Sequence, residues 1–128
     1  MDLEQYFDAA HGIGVLATAD ADGNVDAAQY AQPHFMENGS IAFIMSHKLS
    51  YNNLQTNPRC AYIFIETGEK KNNSSGGVRL YLKKTGEEHD QDAIIALRRK
   101  NRDNLNSDRS IVIFNVERTR ALLGDGTP

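Results

Sequence analysis

Two runs in this chain, Ser-Ile-Ala-Phe-Ile-Met-Ser at 40–46 and Cys-Ala-Tyr-Ile-Phe-Ile-Glu at 60–66, are apolar on both alternations and rich in β-branched and aromatic residues. Successive side chains of a strand point to opposite faces, so such runs must be covered twice: by a core on one side and by a helix, a ligand or a second subunit on the other. Between them the character changes abruptly. The turn His47-Lys48-Leu49-Ser50 is basic and hydroxyl-bearing, and it leads into a short helix that Tyr51 and Leu54 pin to a core and Asn57-Pro58 ends. A helix start leaves its first backbone N–H groups without partners and carries partial positive charge. With Ser50 as N-cap and Lys48 just before it, this junction has the chemistry of a phosphate site.

The rest of the chain supplies further strands. Leu3, Tyr6, Phe7 and Ala10 recur at helical spacing, with Asp2 placed to cap, Gln5 three residues later and Gly12 as a stop. Gly14 to Thr18 reads as a strand, Asp20-Ala21-Asp22-Gly23 as a hairpin turn, and Val25 to Ala31 as the return strand, which Pro33 ends or bends. Gly68 to Gly77 is a polar loop, Val78 to Lys84 another strand, Asp90 to Lys100 a helix anchored by Ile94 and Leu97, Asn101 to Asp108 a loop, and Ile111 to Val116 the last strand. About six strands with tight connections and about three short helices predict a mainly β (α+β) fold, a closed or nearly closed antiparallel barrel with helices around it.

At 128 residues, 40% hydrophobic and 24% charged, the chain predicts one soluble domain spanning 1–128. Fourteen basic against seventeen acidic residues leave a net charge of −3, which argues against a nucleic-acid partner. The acidic start Met1-Asp2-Leu3-Glu4-Gln5 and the absence of a long apolar run predict no membrane and a cytoplasmic location. Cys60 is the only cysteine, so no intramolecular disulfide forms and a small buried hydrophobe is its default role. His11, His34, His47 and His89 have no metal-motif spacing, and no metal is expected. Gly12-Ile13-Gly14 precedes a strand instead of following one, which excludes a dinucleotide-binding turn.

Ser46, Lys48, Ser50 and Asn53 gather a cation, two hydroxyls and an amide around one helix start, better suited to phosphate than to packing. A solvated lysine at a strand–helix junction is the plain alternative for Lys48, and an exposed turn histidine for His47. The strand Val25 to Ala31 is alanine-rich, which leaves space above the pleat. Gln29 shares a face with Ala27 and Ala31, where its carboxamide suits the edge of a flat ring, unless a helix or partner subunit fills the gap. Arg98-Arg99-Lys100 and Arg102 are best read as solvated cations at a helix C-terminus, with Arg79 a weaker phosphate candidate. No side chain stands out as an acid or base, so no catalytic residue is assigned.

The order Gly14-Val15-Leu16-Ala17-Thr18, Asp22-Gly23, the Ala27-to-Ala31 strand, Ser46-His47-Lys48 and Asn53-Leu54-Gln55-Thr56-Asn57-Pro58-Arg59 resembles the pyridoxamine 5′-phosphate oxidase-related FMN-binding proteins over roughly residues 3 to 116. That resemblance implies a six-stranded antiparallel split β-barrel of Greek-key topology. It further implies a homodimer with FMN at the subunit interface and an FMN-dependent oxidoreductase or electron carrier acting on a small-molecule donor or acceptor. Gln29, Tyr30, Met45, Ser46, Lys48, Ser50 and Asn53 are then the FMN contacts. The family's true oxidases carry an arginine-bearing C-terminal substrate segment. This chain ends Ala121-Leu122-Leu123-Gly124-Asp125-Gly126-Thr127-Pro128, so vitamin B6 oxidation is not expected. The alternatives are a non-catalytic flavin or redox-sensing dimer, or a barrel holding another flat cofactor such as a deazaflavin or haem.

Overall fold

The structure, a computed structural model, describes residues 1–97 and 109–128. The Arg98-Arg99-Lys100 run, Arg102, the end of the helix expected to Lys100 and the loop expected over 101–108 lie outside the described residues. Helix α1 spans Leu3–Ala9; Asp2 caps it, accepting from the Gln5 backbone N–H at 3.2 Å, as its spacing predicts. The helix stops at Ala10, in extended conformation, and Gly12 already begins strand β1, Gly12–Ala19. The Asp20–Gly23 turn closes on Asn24, with Gly23 at φ 85°, and returns as β2, Val25–Gln29. Then come β3, His34–Phe35; β4, Ile41–Ser46; α2, Leu49–Thr56; β5, Arg59–Glu66; β6, Gly77–Glu88; α3, Gln91–Leu97; and β7, Arg109–Ala121.

All pairings are antiparallel, in the order β2-β1-β5-β6-β7-β4-β3. Two sequence expectations change here. Among the described residues there are seven strands instead of six, because the two-residue β3 after Pro33 pairs with β4 through His34↔Ala42 and Phe35↔Ile41. The sheet is also not closed: β2 and β3 are its two edges.

The core lies on one side of the curved sheet. Phe7 of α1 packs on Phe64 with ring centroids 5.1 Å apart, and Phe43 of β4 lies 5.0 Å from Tyr62 and 5.9 Å from Phe114, joined by Leu16, Met45, Leu80 and Leu82. The double-faced pattern of β4 is explained by α3. Ile41, Phe43 and Met45 face this core, while Ala42 and Ile44 face a second cluster built on Ile94 and Ile111. On β5, Tyr62 and Phe64 are buried, but nothing among the described residues covers the opposite face, where Ile65 remains 42% exposed beside Ile13 at 46%.

Helix α2 is held in place by polar groups. Asn53 donates to Thr18 Oγ1 at 3.0 Å, and Tyr51 and Gln55 donate to Glu87 at 2.5 and 2.9 Å, with Lys84 completing the Glu87 pair. The fully buried Ser110 hydroxyl bridges His47 Nε2 at 2.7 Å and His89 Nδ1 at 2.6 Å. Burial alone would push the Glu87 carboxyl up, but hydrogen bonds from Lys84, Tyr51 and Gln55 outweigh it and bring it down from 4.5 to about 2. A depressed folded-state value gives stability that is present above the unfolded value and lost as pH falls through the folded one. With the Glu87 side chain 13% exposed, the loss on acidification from pH 5 to 2 is expected to be about 2–3 kcal/mol. Urea unfolding across that range checks this. Glu87→Gln should be less stable than the parent at pH 6 and should flatten the dependence; an unchanged acid slope in the variant would assign the loss to other carboxylates.

Candidate functional site

A cleft of about 390 Å³ opens between β2 and the β4–α2 junction. Asp26, Ala28, Gln29 and Tyr30 come from β2 and the residue after it, Ile44 and Ser46 from the end of β4, Lys48, Leu49 and Ser50 from the entry to α2, and Arg109 from the start of β7. Antiparallel pairing of Ser46 with Arg109 brings the end of β4 and the start of β7 together.

Cation placement defines one corner. The N-cap of α2 is Lys48, not Ser50, because the chain is extended at Lys48 and the first intrahelical bond runs from the Asn52 N–H to the Lys48 carbonyl at 2.9 Å. No side chain caps this start, so the N–H groups of Leu49, Ser50 and Tyr51 have no intrahelical partner. Arg109 brings a guanidinium whose Nε is buried and without a hydrogen-bond partner. A buried donor left unmade is costly, and an anionic oxygen would relieve it. Two cations, an orphaned N–H and an open helix start converge as a phosphate group requires.

The other expected contacts divide. Ser46 and Lys48 line the cleft; so does Ser50, whose hydroxyl donates to Asp26 Oδ2 at 3.3 Å. Tyr30 lines it too; burial first, then the Asp26 charge, raises its phenol above the ordinary value, against a lowering hydrogen bond from Ser50. Met45 is fully buried in the core on the other face of β4, and the Asn53 amide is spent on Thr18, so neither side chain reaches the cleft. His47 is not among the lining residues: its ring bonds Ser110 and stacks on Tyr51 with centroids 4.2 Å apart. Arg79 is committed to the Ala121 carbonyl at 2.7 Å and to the Gly124 carbonyl.

The face of β2 toward the cleft is also the opposite of the expected one. Thr18↔Asp26 and Leu16↔Ala28 are the inward pairs, whereas Ala17↔Ala27 and Val15↔Gln29 face outward, leaving Gln29 at the rim.

This arrangement of strands is shared with solved structures of low sequence identity. An FMN-binding protein from Syntrophomonas wolfei superposes with a TM-score of 0.70 at 14% identity over 90% of this chain and 80% of that one. A pyridoxamine 5′-phosphate oxidase-like protein from Lactobacillus delbrueckii gives 0.64 at 18% identity over 91% and 88%. A haem-binding protein from Mycobacterium smegmatis gives 0.56 at 20% identity over 90% of this chain and 50% of that one. No protein-family model and no curated protein matches the sequence. The chain has the fold of the pyridoxamine 5′-phosphate oxidase-related FMN-binding proteins.

Within this split-barrel fold, sequence reasoning missed Arg109 and Asp26. Arg109 reaches Ser46 only through strand pairing, which no local pattern announces. Asp26 sits two residues from Ala28 on the same alternation, so choosing the other face of β2 would have found it. No helix among the described residues is long and apolar enough to cross a membrane.

Proposed function

We propose that the protein is a cytoplasmic FMN-binding flavoprotein that acts as a homodimer, with FMN at the subunit interface, and passes electrons or a hydride to or from a small molecule. The carrying observation is the convergence of Lys48, Arg109 and the uncapped α2 start in one cleft. Lys48, Arg109 and Ser46 would hold the phosphate, and Tyr30, Ala28 and Gln29 would flank the ring. A flavin supplies the redox chemistry when bound; the chain supplies binding and orientation. The charged, hydroxyl-bearing lining suits the anionic tail of a nucleotide. Dimerisation is supported by the uncovered sheet face, where Ile13 and Ile65 pair at 46% and 42% exposed, Val15 and Ile63 continue the apolar face, and Val25 at its far end is 82% exposed.

Titration of the purified protein tests this. FMN is expected to bind one per chain with quenched fluorescence, at least tenfold more tightly than riboflavin, and the complex is expected to sediment as a dimer. Equal affinity for the two flavins, or no quenching by either, overturns the reading.

A further inference from the structure

Asp26 is an anomaly in a cleft built for an anion. Its carboxylate lines the same hollow as Lys48 and Arg109, yet among the described residues it pairs with neither cation, and its hydrogen bond is the one from Ser50 Oγ to Oδ2 at 3.3 Å. The Tyr30 phenol lies close enough to feel both the Asp26 charge and the Ser50 hydroxyl. Three charges thus share one cleft without pairing: two cations at the corner where β4, α2 and β7 meet, and one carboxylate on β2 bonded to Ser50 in the first turn of α2.

A bare anion filling the hollow would meet Asp26 as a repulsive charge. The ligand that satisfies all three groups carries an anionic end and, along the chain leading to it, hydrogen-bond donors for the carboxylate. An ionised carboxylate is acceptor-only, and Oδ1 has no partner among the described residues, so a hydroxyl donating to it would form a charge-assisted bond. Ser50 and Tyr30 extend the same wall with hydroxyls that both donate and accept.

We propose that Asp26, supported by Ser50 and Tyr30, reads the hydroxyls of a polyol phosphate, making it the residue that selects a ligand with a hydroxylated chain between ring and phosphate. This rests on the flavin reading above and deepens it: in FMN the group read by Asp26 is the ribityl chain, separately from the phosphate read by Lys48 and Arg109.

Three flavins separate these contacts. FMN has chain and phosphate, riboflavin the chain alone, and lumiflavin neither. Fluorescence titration of the full-length protein and of Asp26→Ala is expected to show FMN and riboflavin weakened alike, by about tenfold, with lumiflavin unchanged. Asp26→Asn, which keeps the size of the side chain and one acceptor oxygen, should weaken the same two ligands by a smaller factor, and it carries the test if the alanine variant does not fold. Tighter FMN binding in either variant with riboflavin unchanged would show that Asp26 faces the phosphate, and unchanged affinities would show that it touches no part of the ligand; both overturn the assignment while leaving the flavin reading standing. Failure of the parent protein to bind any of the three overturns that reading and this one with it.

Discussion

Replacing Arg109 by alanine is expected to raise the Kd for FMN by at least tenfold while leaving riboflavin within about twofold of the parent, since a hydrogen bond to a charged partner contributes about 1.5–3 kcal/mol. The same ligand-selective loss is expected of Lys48→Ala. The two should differ in detail. Lys48 is an exposed point charge at the α2 entry, so its contribution falls as salt rises, whereas the Arg109 Nε is buried and should be less sensitive. Arg109→Lys should recover only part of the affinity, because an ammonium restores the charge without the planar fork of donors. Equal weakening of FMN and riboflavin by both alanine variants would move the phosphate elsewhere in the molecule.

That Arg109 carries this prediction shows what was legible in the sequence. Lys48, Ser46 and Ser50 lie within a few residues of one another, and a strand end followed by a helix start is a local pattern, so this corner could be read directly. Its third wall could not. Arg109 joins it only because β7 runs antiparallel to β4, and pairing between distant segments leaves no local trace. The face of β2 failed for a related reason: alanine on both alternations gives Ala27 and Ala28 equal claims to the interior, and only the register against Leu16 and Thr18 decides. Strand lengths were underestimated where the outer face meets solvent. Strand β6 continues through Thr85, Glu87 and Glu88, and β7 through Glu117 and Arg118, past the apolar segments that marked them. Register shifts at Tyr81/Leu82 and Lys84/Gly86 further blur the alternation. Strand β3, two residues long, is too short to carry a period at all.

Gly14→Ala is expected to be strongly destabilising, because it would strike the contact that joins core to cleft. A Cβ there would stand 1.9 Å from the Tyr62 hydroxyl and 2.5 Å from the Tyr30 carbonyl. The fully buried Tyr62 hydroxyl donates to the Ala31 carbonyl at 3.0 Å and to the Tyr30 carbonyl at 3.3 Å, while the Tyr30 N–H donates to the Gly14 carbonyl at 3.0 Å. Overpacking costs about 1–3 kcal/mol, and stranding a buried hydroxyl adds a comparable amount, so a loss of about 2–5 kcal/mol is expected. In a chain of this length that lowers Tm by about 7–19 °C. Because Tyr30 lines the cleft, FMN affinity should fall with it. Tyr62→Leu, which removes the obstructing ring tip, should be destabilising alone yet combine with Gly14→Ala to less than the sum of the two. Thermal unfolding of the four proteins measures that coupling. A Gly14→Ala variant that melts with the parent would mean that the Gly14–Tyr62 contact does not hold Tyr30 in place.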